Sequence, residues 1–196
     1  MSLALRLLLK RHPDTPCDAF TAIEVELSRL APRRLLVRYF MHGDARHVRW
    51  PDLAEPAQRT DGLWQHTCFE AFIRPEGAKA YYEFNLVPSL HWAAYRFSGY
   101  RTGMKNVSEV GPPRGDAVSP EDKANFVFSA TLEMERLVAL PLDRPWRLGF
   151  SAIVEENNGC VSYWALAHPP GKPDFHHPDC FAFELPAARP IPSPRT

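Results

Sequence analysis

A chain of 196 residues has the length of one domain, roughly 100–200 residues, and can bury a core without disulfide or metal staples. Its 23 basic and 23 acidic side chains cancel, which excludes a protein that holds nucleic acid through a large basic excess. No stretch approaches the roughly 18 consecutive apolar residues of a membrane-spanning helix.

Proline is the unusual component, with 20 residues against an ordinary share of about 5%. Prolines end helices and are confined to turns and sheet edges, so their spacing along the chain favours short strands over long helices. The N-terminal Leu3, Leu5, Leu7 and Leu9 alternate, with Arg6 and Lys10 interrupting the apolar run. That pattern predicts a first strand rather than a signal peptide, hence a cytoplasmic protein with Cys17, Cys68, Cys160 and Cys180 as reduced thiols.

Period-two alternation then recurs along the chain. Ile23, Val25 and Leu27 share one parity, and so do Leu35, Val37, Tyr39 and Met41. Phe69, Ala71 and Ile73 form the next set, followed by Tyr82, Phe84 and Leu86, and by Ala93, Tyr95 and Phe97. Phe126 to Leu132 and Leu148 to Val154 alternate as well, with shorter runs at Val161–Ala165 and Phe181–Leu185. The expected fold is an all-β, antiparallel, jelly-roll-like sandwich of about nine or ten strands over residues 1–185. Met134 to Leu140 is expected to form one or two helical turns ended by Pro141, and 186–196 to be a Pro-rich tail.

Several chemistries are absent from the pattern. There is no Cys-x-x-Cys pair, no Gly-x-Gly phosphate loop, and no second glycine after Ser151 to make a nucleophile elbow. No metal site is expected, because His176 and His177 could share an ion with His168 and Asp174 only on a loop. His66 and Cys68, two residues apart, could pair on one strand face, although nothing nominates a third group to orient them.

One face does hold a mixture suited to a polar ligand. With Phe69, Tyr82 and Tyr95 taken as inward, alternation places Glu70, Glu83, Asn85, Trp92 and Arg96 together on the opposite face. Carboxylates accept hydrogen bonds from hydroxyls, an amide both donates and accepts, and an indole packs on a sugar ring. The same residues could instead be cross-strand ion pairs on a solvated sheet. His168–Asp179, with four prolines, is expected to be an ordered loop packed near Trp64, closing one end of the sandwich and offering Lys172, Asp174 and His176 at the rim.

Four blocks carry a family resemblance: Asp61-Gly-Leu-Trp64-Gln-His-Thr-Cys-Phe-Glu70-Ala-Phe, Tyr82-Glu-Phe-Asn85-Leu-Val-Pro-Ser89, Trp92-Ala-Ala-Tyr95-Arg-Phe, and His168 with Gly171-Lys-Pro-Asp174-Phe-His-His. Together they resemble the bacterial DOMON-like proteins, relatives of the family 9 carbohydrate-binding modules and of haem- or sugar-binding DOMON domains. The resemblance implies a β-sandwich that binds a ligand and implies no reaction. The expected function is therefore a non-enzymatic module for a carbohydrate or other small polar ligand, with no cofactor and neither nucleic-acid nor membrane partners. Its contacts would come from Trp64, His66, Glu70, Glu83, Asn85, Trp92, Arg96, His168, Lys172, Asp174 and His176. Two alternatives stand beside it. One is a haem domain using Met41 with His42, His66 or His168 as axial ligands. The other is a glycosidase-like enzyme using Glu70 and Glu83.

Overall fold

The computed structural model describes residues 5–51, 57–89, 91–118 and 125–188. Leu3 of the first expected strand, and the tail beyond residue 188, lie outside them. Among the described residues there is no α-helix, only three single 3₁₀ turns at Ala45–His47, Leu63–Gln65 and Pro178–Cys180. The strands, in chain order, are β1 (Leu5–Arg11), β2 (Phe20–Ala31), β3 (Arg34–Gly43), β4 (Gln58–Arg59), β5 (Cys68–Pro75), β6 (Tyr81–Leu86) and β7 (His91–Phe97). They continue with β8 (Lys105–Asn106), β9 (Arg114–Val118), β10 (Asn125–Glu133), β11 (Trp146–Glu155), β12 (Val161–Ala165) and β13 (Phe183–Leu185).

These strands form an all-β sandwich. The front sheet runs β1-β2-β3-β10-β9 and the back sheet β4-β7-β6-β5-β11-β12, with β8 beside β7 and β13 beside β11. β1 joins the two: Leu5–Leu9 pair with β2, whereas Lys10 and Arg11 pair with β12. All pairings are antiparallel except the two-residue contact of β4 with β7.

The front sheet is wet on one side, so its strands alternate. Ile23, Val25, Val37, Tyr39 and Met41 are wholly buried, while Glu26 on the other side is bridged to Arg6 and Arg38. Across the sandwich Phe69 packs on Tyr39 at 4.8 Å and on Phe128 at 5.2 Å between ring centroids. Tyr39 also donates its hydroxyl to the Glu70 carbonyl at 2.7 Å, tying the front sheet to the strand that carries the site.

The central strands of the back sheet are covered on both faces. Phe69, Ala71, Ile73, Phe84 and Leu86 enter the main core. Phe72, Tyr81, Ala93, Tyr95 and Phe97 form a second apolar cluster with Phe175 and Phe181, which come from the connection after β12. Two sequence expectations need correction here. β7 has the opposite parity to the one expected: Trp92 and Ala94 belong to the main core, opposite Leu86 and Phe84, and Tyr95 and Phe97 face outward. Because both faces are buried, both parities carry large apolar residues and the pattern does not select one. Met134–Leu140 forms two successive tight turns, closed by Leu137 N–H to the Met134 carbonyl and Leu140 N–H to the Leu137 carbonyl, both 2.9 Å. A segment this short does not repay helix nucleation, and Met134, Leu137 and Leu140 are buried without it.

Candidate functional site

The outer face of the back sheet carries a row of buried polar groups at its centre. Register places Glu70 of β5 directly between Ser151 of β11 and Asn85 of β6, with Glu83 one diagonal step away on β6. Glu70 is 2% exposed and Glu83 4%. Ser151 donates to Glu70 Oε2 at 2.9 Å, and Asn85 Nδ2 donates to Glu83 Oε1 at 2.6 Å. The Cys68 thiol sits behind this pair, 3.5 Å from Asn85 Oδ1, which fixes the amide orientation. Glu83 Oε2 has no hydrogen-bond partner.

Burial dominates the acidity of both carboxyls. Desolvation, with the charge of Glu83 adding to it, pushes Glu70 up to about 8 against the opposing hydrogen bond from Ser151. Desolvation pushes Glu83 up to about 7, opposed by the Asn85 hydrogen bond and by Arg101. Near neutral pH the pair therefore holds between about one and two protons.

Two segments cover this face. Arg101 has a φ of +50° in the turn between β7 and β8, a left-handed conformation uncommon outside glycine. The turn is held by Thr102 N–H to the Gly99 carbonyl and Ser98 N–H to the Thr102 carbonyl. It delivers the guanidinium to Asp174, which accepts from Arg101 Nε at 3.1 Å and Nη2 at 2.7 Å, and also from the Tyr100 hydroxyl. Burial pushes Asp174 up, but these hydrogen bonds overcome it and leave the carboxyl below its ordinary range. Asp174 also accepts from the His176 amide, so the turn and the loop brace each other.

The second cover is the loop itself. Phe175 and Phe181 anchor it in the outer cluster, and the His176 ring stands edge-on to Phe72, Tyr81 and Phe97. Desolvation, reinforced by Arg101, pushes His176 down to about 4, so it is neutral at pH 7. The Tyr81 hydroxyl accepts from the Arg101 amide and pairs with His176 Nδ1 at 2.7 Å, leaving Nε2 directed at Glu83 Oε2, 3.7 Å away. Between sheet and covers lies a cavity of about 370 Å³, with the two carboxyls, Arg101 and His176 among apolar walls from Trp64, Phe97, Met104, Ile153, Tyr163 and Phe175. That volume is at the small end of the roughly 300–1,000 Å³ of small-molecule sites.

Of the residues singled out from sequence, Trp64, Glu70, Glu83 and His176 line this cavity. Asn85 and Asp174 support it through their hydrogen bonds to Glu83 and Arg101. Trp92 and Arg96 do not share the face. Trp92 is in the main core with Arg59 stacked on its ring, and Arg96, of the same parity, is exposed. His66 is hydrogen-bonded to Glu155 at 2.7 Å, and His168 to the Lys10 carbonyl at 2.8 Å. Lys172 is exposed. The loop His168–Asp179 reaches the same cavity as Trp64, but it lies across the outer face of the sheet instead of closing an end of the sandwich.

Met41 is wholly buried in the main core, and His42 is hydrogen-bonded to Glu24 and Asn125. Among the described residues no three His, Cys, Asp or Glu side chains are grouped as metal ligands.

Arg101, Ser151 and Tyr163 are site residues that sequence reasoning did not select. Ser151 and Ile153 have the parity opposite to the core residues of β11, so their face was readable. Their neighbour was not, since nothing local says that β11 pairs with β5. A second groove, of about 470 Å³, lies on the other side of the Leu63–Gln65 turn. Its carboxylate, Glu155, is already bound by His66 and Arg49, and its Asp61 accepts from Tyr95.

No protein-family model matches the chain, and no curated protein does. Among solved structures, a candidate carbohydrate-binding protein from Bacteroides uniformis ATCC 8492 superposes with a TM-score of 0.63 at 13% identity, over 90% of this chain and 84% of that one. That likeness is one of fold. A family 9 carbohydrate-binding module from Caldicellulosiruptor kristjanssonii in complex with cellotriose gives a TM-score of 0.47 at 10% identity, over 86% and 75% of the two chains. A module of the same family and organism in complex with glucose gives 0.41 at 12%, over 83% and 76%.

Proposed function

We propose that the chain is a non-enzymatic binding module whose cavity over Glu70 and Glu83 takes a small polar ligand, a carbohydrate of one or two rings. The observation that carries the reading is the unpartnered Glu83 Oε2, held by Asn85 in an aromatic-walled cavity. A buried acceptor with no partner costs about 1–3 kcal/mol, which a ligand donor would recover. Trp64, 37% exposed and T-shaped against Tyr95 at 5.8 Å, lines the cavity and supplies an indole on which the C–H face of a sugar can pack. The carbohydrate-binding role proposed for the Bacteroides neighbour, and the DOMON-like blocks around Trp64, Glu70 and Asn85, support the same reading.

Calorimetry with a panel of mono- and disaccharides tests it. Binding is expected, and Trp64→Ala should weaken it about tenfold with the circular dichroism spectrum unchanged. A blank panel, or binding indifferent to Trp64→Ala, contradicts the proposal.

A glycosidase-like reading has one observation in its favour: Glu70 is held protonated near neutral pH beside a second carboxyl, as a general acid would be. Turnover of a chromogenic glycoside, abolished in Glu70→Gln, would establish it. No turnover by a variant-free, sugar-binding preparation would remove it.

A further inference from the structure

We propose, on the basis of the carbohydrate reading above, that the ligand carries a protonated amine seated between Glu70 and Glu83, so that the preferred class is an amino sugar.

The cavity is lined by two carboxyls and a single arginine. The two buried carboxyls face it, and the cation that lines it, Arg101, is taken up by Asp174 through two nitrogens. His176 contacts the space as a neutral ring, and Lys172 is exposed to solvent. Among the described residues no cation is hydrogen-bonded to Glu83, whose Oε2 is buried and unpartnered. Ser151 gives its one hydroxyl donor to Glu70, and Asn85 gives one of its two amide donors to Glu83 Oε1, so neither reaches Glu83 Oε2.

A ligand hydroxyl brings one donor and no charge. An ammonium brings three donors and a charge, and can bridge both carboxyls across the diagonal of adjacent strands. The walls agree with a cation: Trp64, Phe97 and Tyr163 present π systems around the same space. Besides Tyr163 on β12, the titratable groups facing the pair are Cys68 on β5, Tyr81 on β6 and Tyr95 on β7, with Arg101, Asp174 and His176 from the covering segments. All six have pKa values displaced away from neutrality, so proton exchange on binding near pH 6.5 comes from Glu70 and Glu83. An arriving ammonium favours their charged forms and expels the protons they hold.

The test is calorimetry at pH 6.5 with glucosamine, glucose, N-acetylglucosamine and n-hexylamine, in two buffers of different ionisation enthalpy. Glucosamine should bind about tenfold or more tightly than glucose or N-acetylglucosamine, with about one to two protons released per site. Glu83→Gln should reduce that preference to about threefold or less; Glu70→Gln serves as the second variant where Glu83→Gln fails to fold. Glucose equal to glucosamine, or tight glucosamine binding with no proton released, overturns the amine inference and leaves the carbohydrate reading standing. Hexylamine equal to glucosamine upholds the ammonium site and overturns the carbohydrate reading. No binding of any probe overturns both.

Discussion

Between about pH 6.5 and pH 8 the protein should lose on the order of 2 kcal/mol of stability, and the double variant Glu70→Gln, Glu83→Gln should not. Both carboxyls are shifted upward by burial, Glu70 to about 8 and Glu83 to about 7, from an ordinary 4.5. The native state thus binds more protons than the unfolded chain above pH 4.5. The contribution of the pair is complete below that pH and is lost as pH rises through the native values. His176 acts in the opposite sense. Burial lowers it to about 4 from 6.5, so its contribution is present above pH 6.5 and lost as pH falls. His168 is lowered by burial as well and adds to the acid side. The opposing slopes cancel in part below pH 6.5 and leave the carboxyls to dominate above it, where stability falls. Urea unfolding at pH 6.5, 7 and 8 measures the decline directly. A flat profile in the parent protein would show that the two carboxyls are ionised in the native state.

Gly43→Ala should cost about 3 kcal/mol or more, and Gly77→Ala about 1 kcal/mol. Gly43 ends β3 opposite Phe20 with a φ of +145°, and a Cβ there would lie 2.1 Å from the Ala19 carbonyl oxygen. That oxygen cannot retreat freely, because it accepts from the Asp44 amide at 2.7 Å. The Asp18 and Ala19 amides on the same segment are held by the buried Glu156 carboxylate. Added strain and lost hydrogen bonds therefore accumulate at one point, where the connection from β1 enters β2. Gly77 has a φ of +76° and open space around its Cβ direction, so only its backbone preference is at stake. Thermal unfolding of the two variants side by side separates the contributions. Equal shifts would mean that the Ala19 segment yields to the new methyl group.

The front sheet was legible because one of its faces meets water. Glu24 and Glu26 alternate with Ile23, Val25 and Leu27, and the periodicity has one solution. The back sheet gives a different lesson at β7, where His91–Phe97 is apolar at both parities because the loop around Phe175 covers the outer face. A tertiary contact from residues far along the chain decides which side is which, and no local pattern records it. The two-residue strands β4 and β8 are too short for any periodicity to register. In the site, Glu70, Glu83 and Asn85 stood out as polar residues at regular spacing inside apolar runs. Arg101 and Ser151 did not, since one depends on a turn with positive φ and the other on the β5–β11 pairing.

The central claim is that a sugar occupies the cavity under the His168–Asp179 loop. A crystal structure of the protein grown with a saturating concentration of whichever saccharide binds in calorimetry tests it most directly. The account predicts density between Trp64 and the carboxyls, with a ligand donor within hydrogen-bond distance of Glu83 Oε2. A ligand found in the Arg49–His66 groove, with the Glu83 cavity left to solvent, would contradict it.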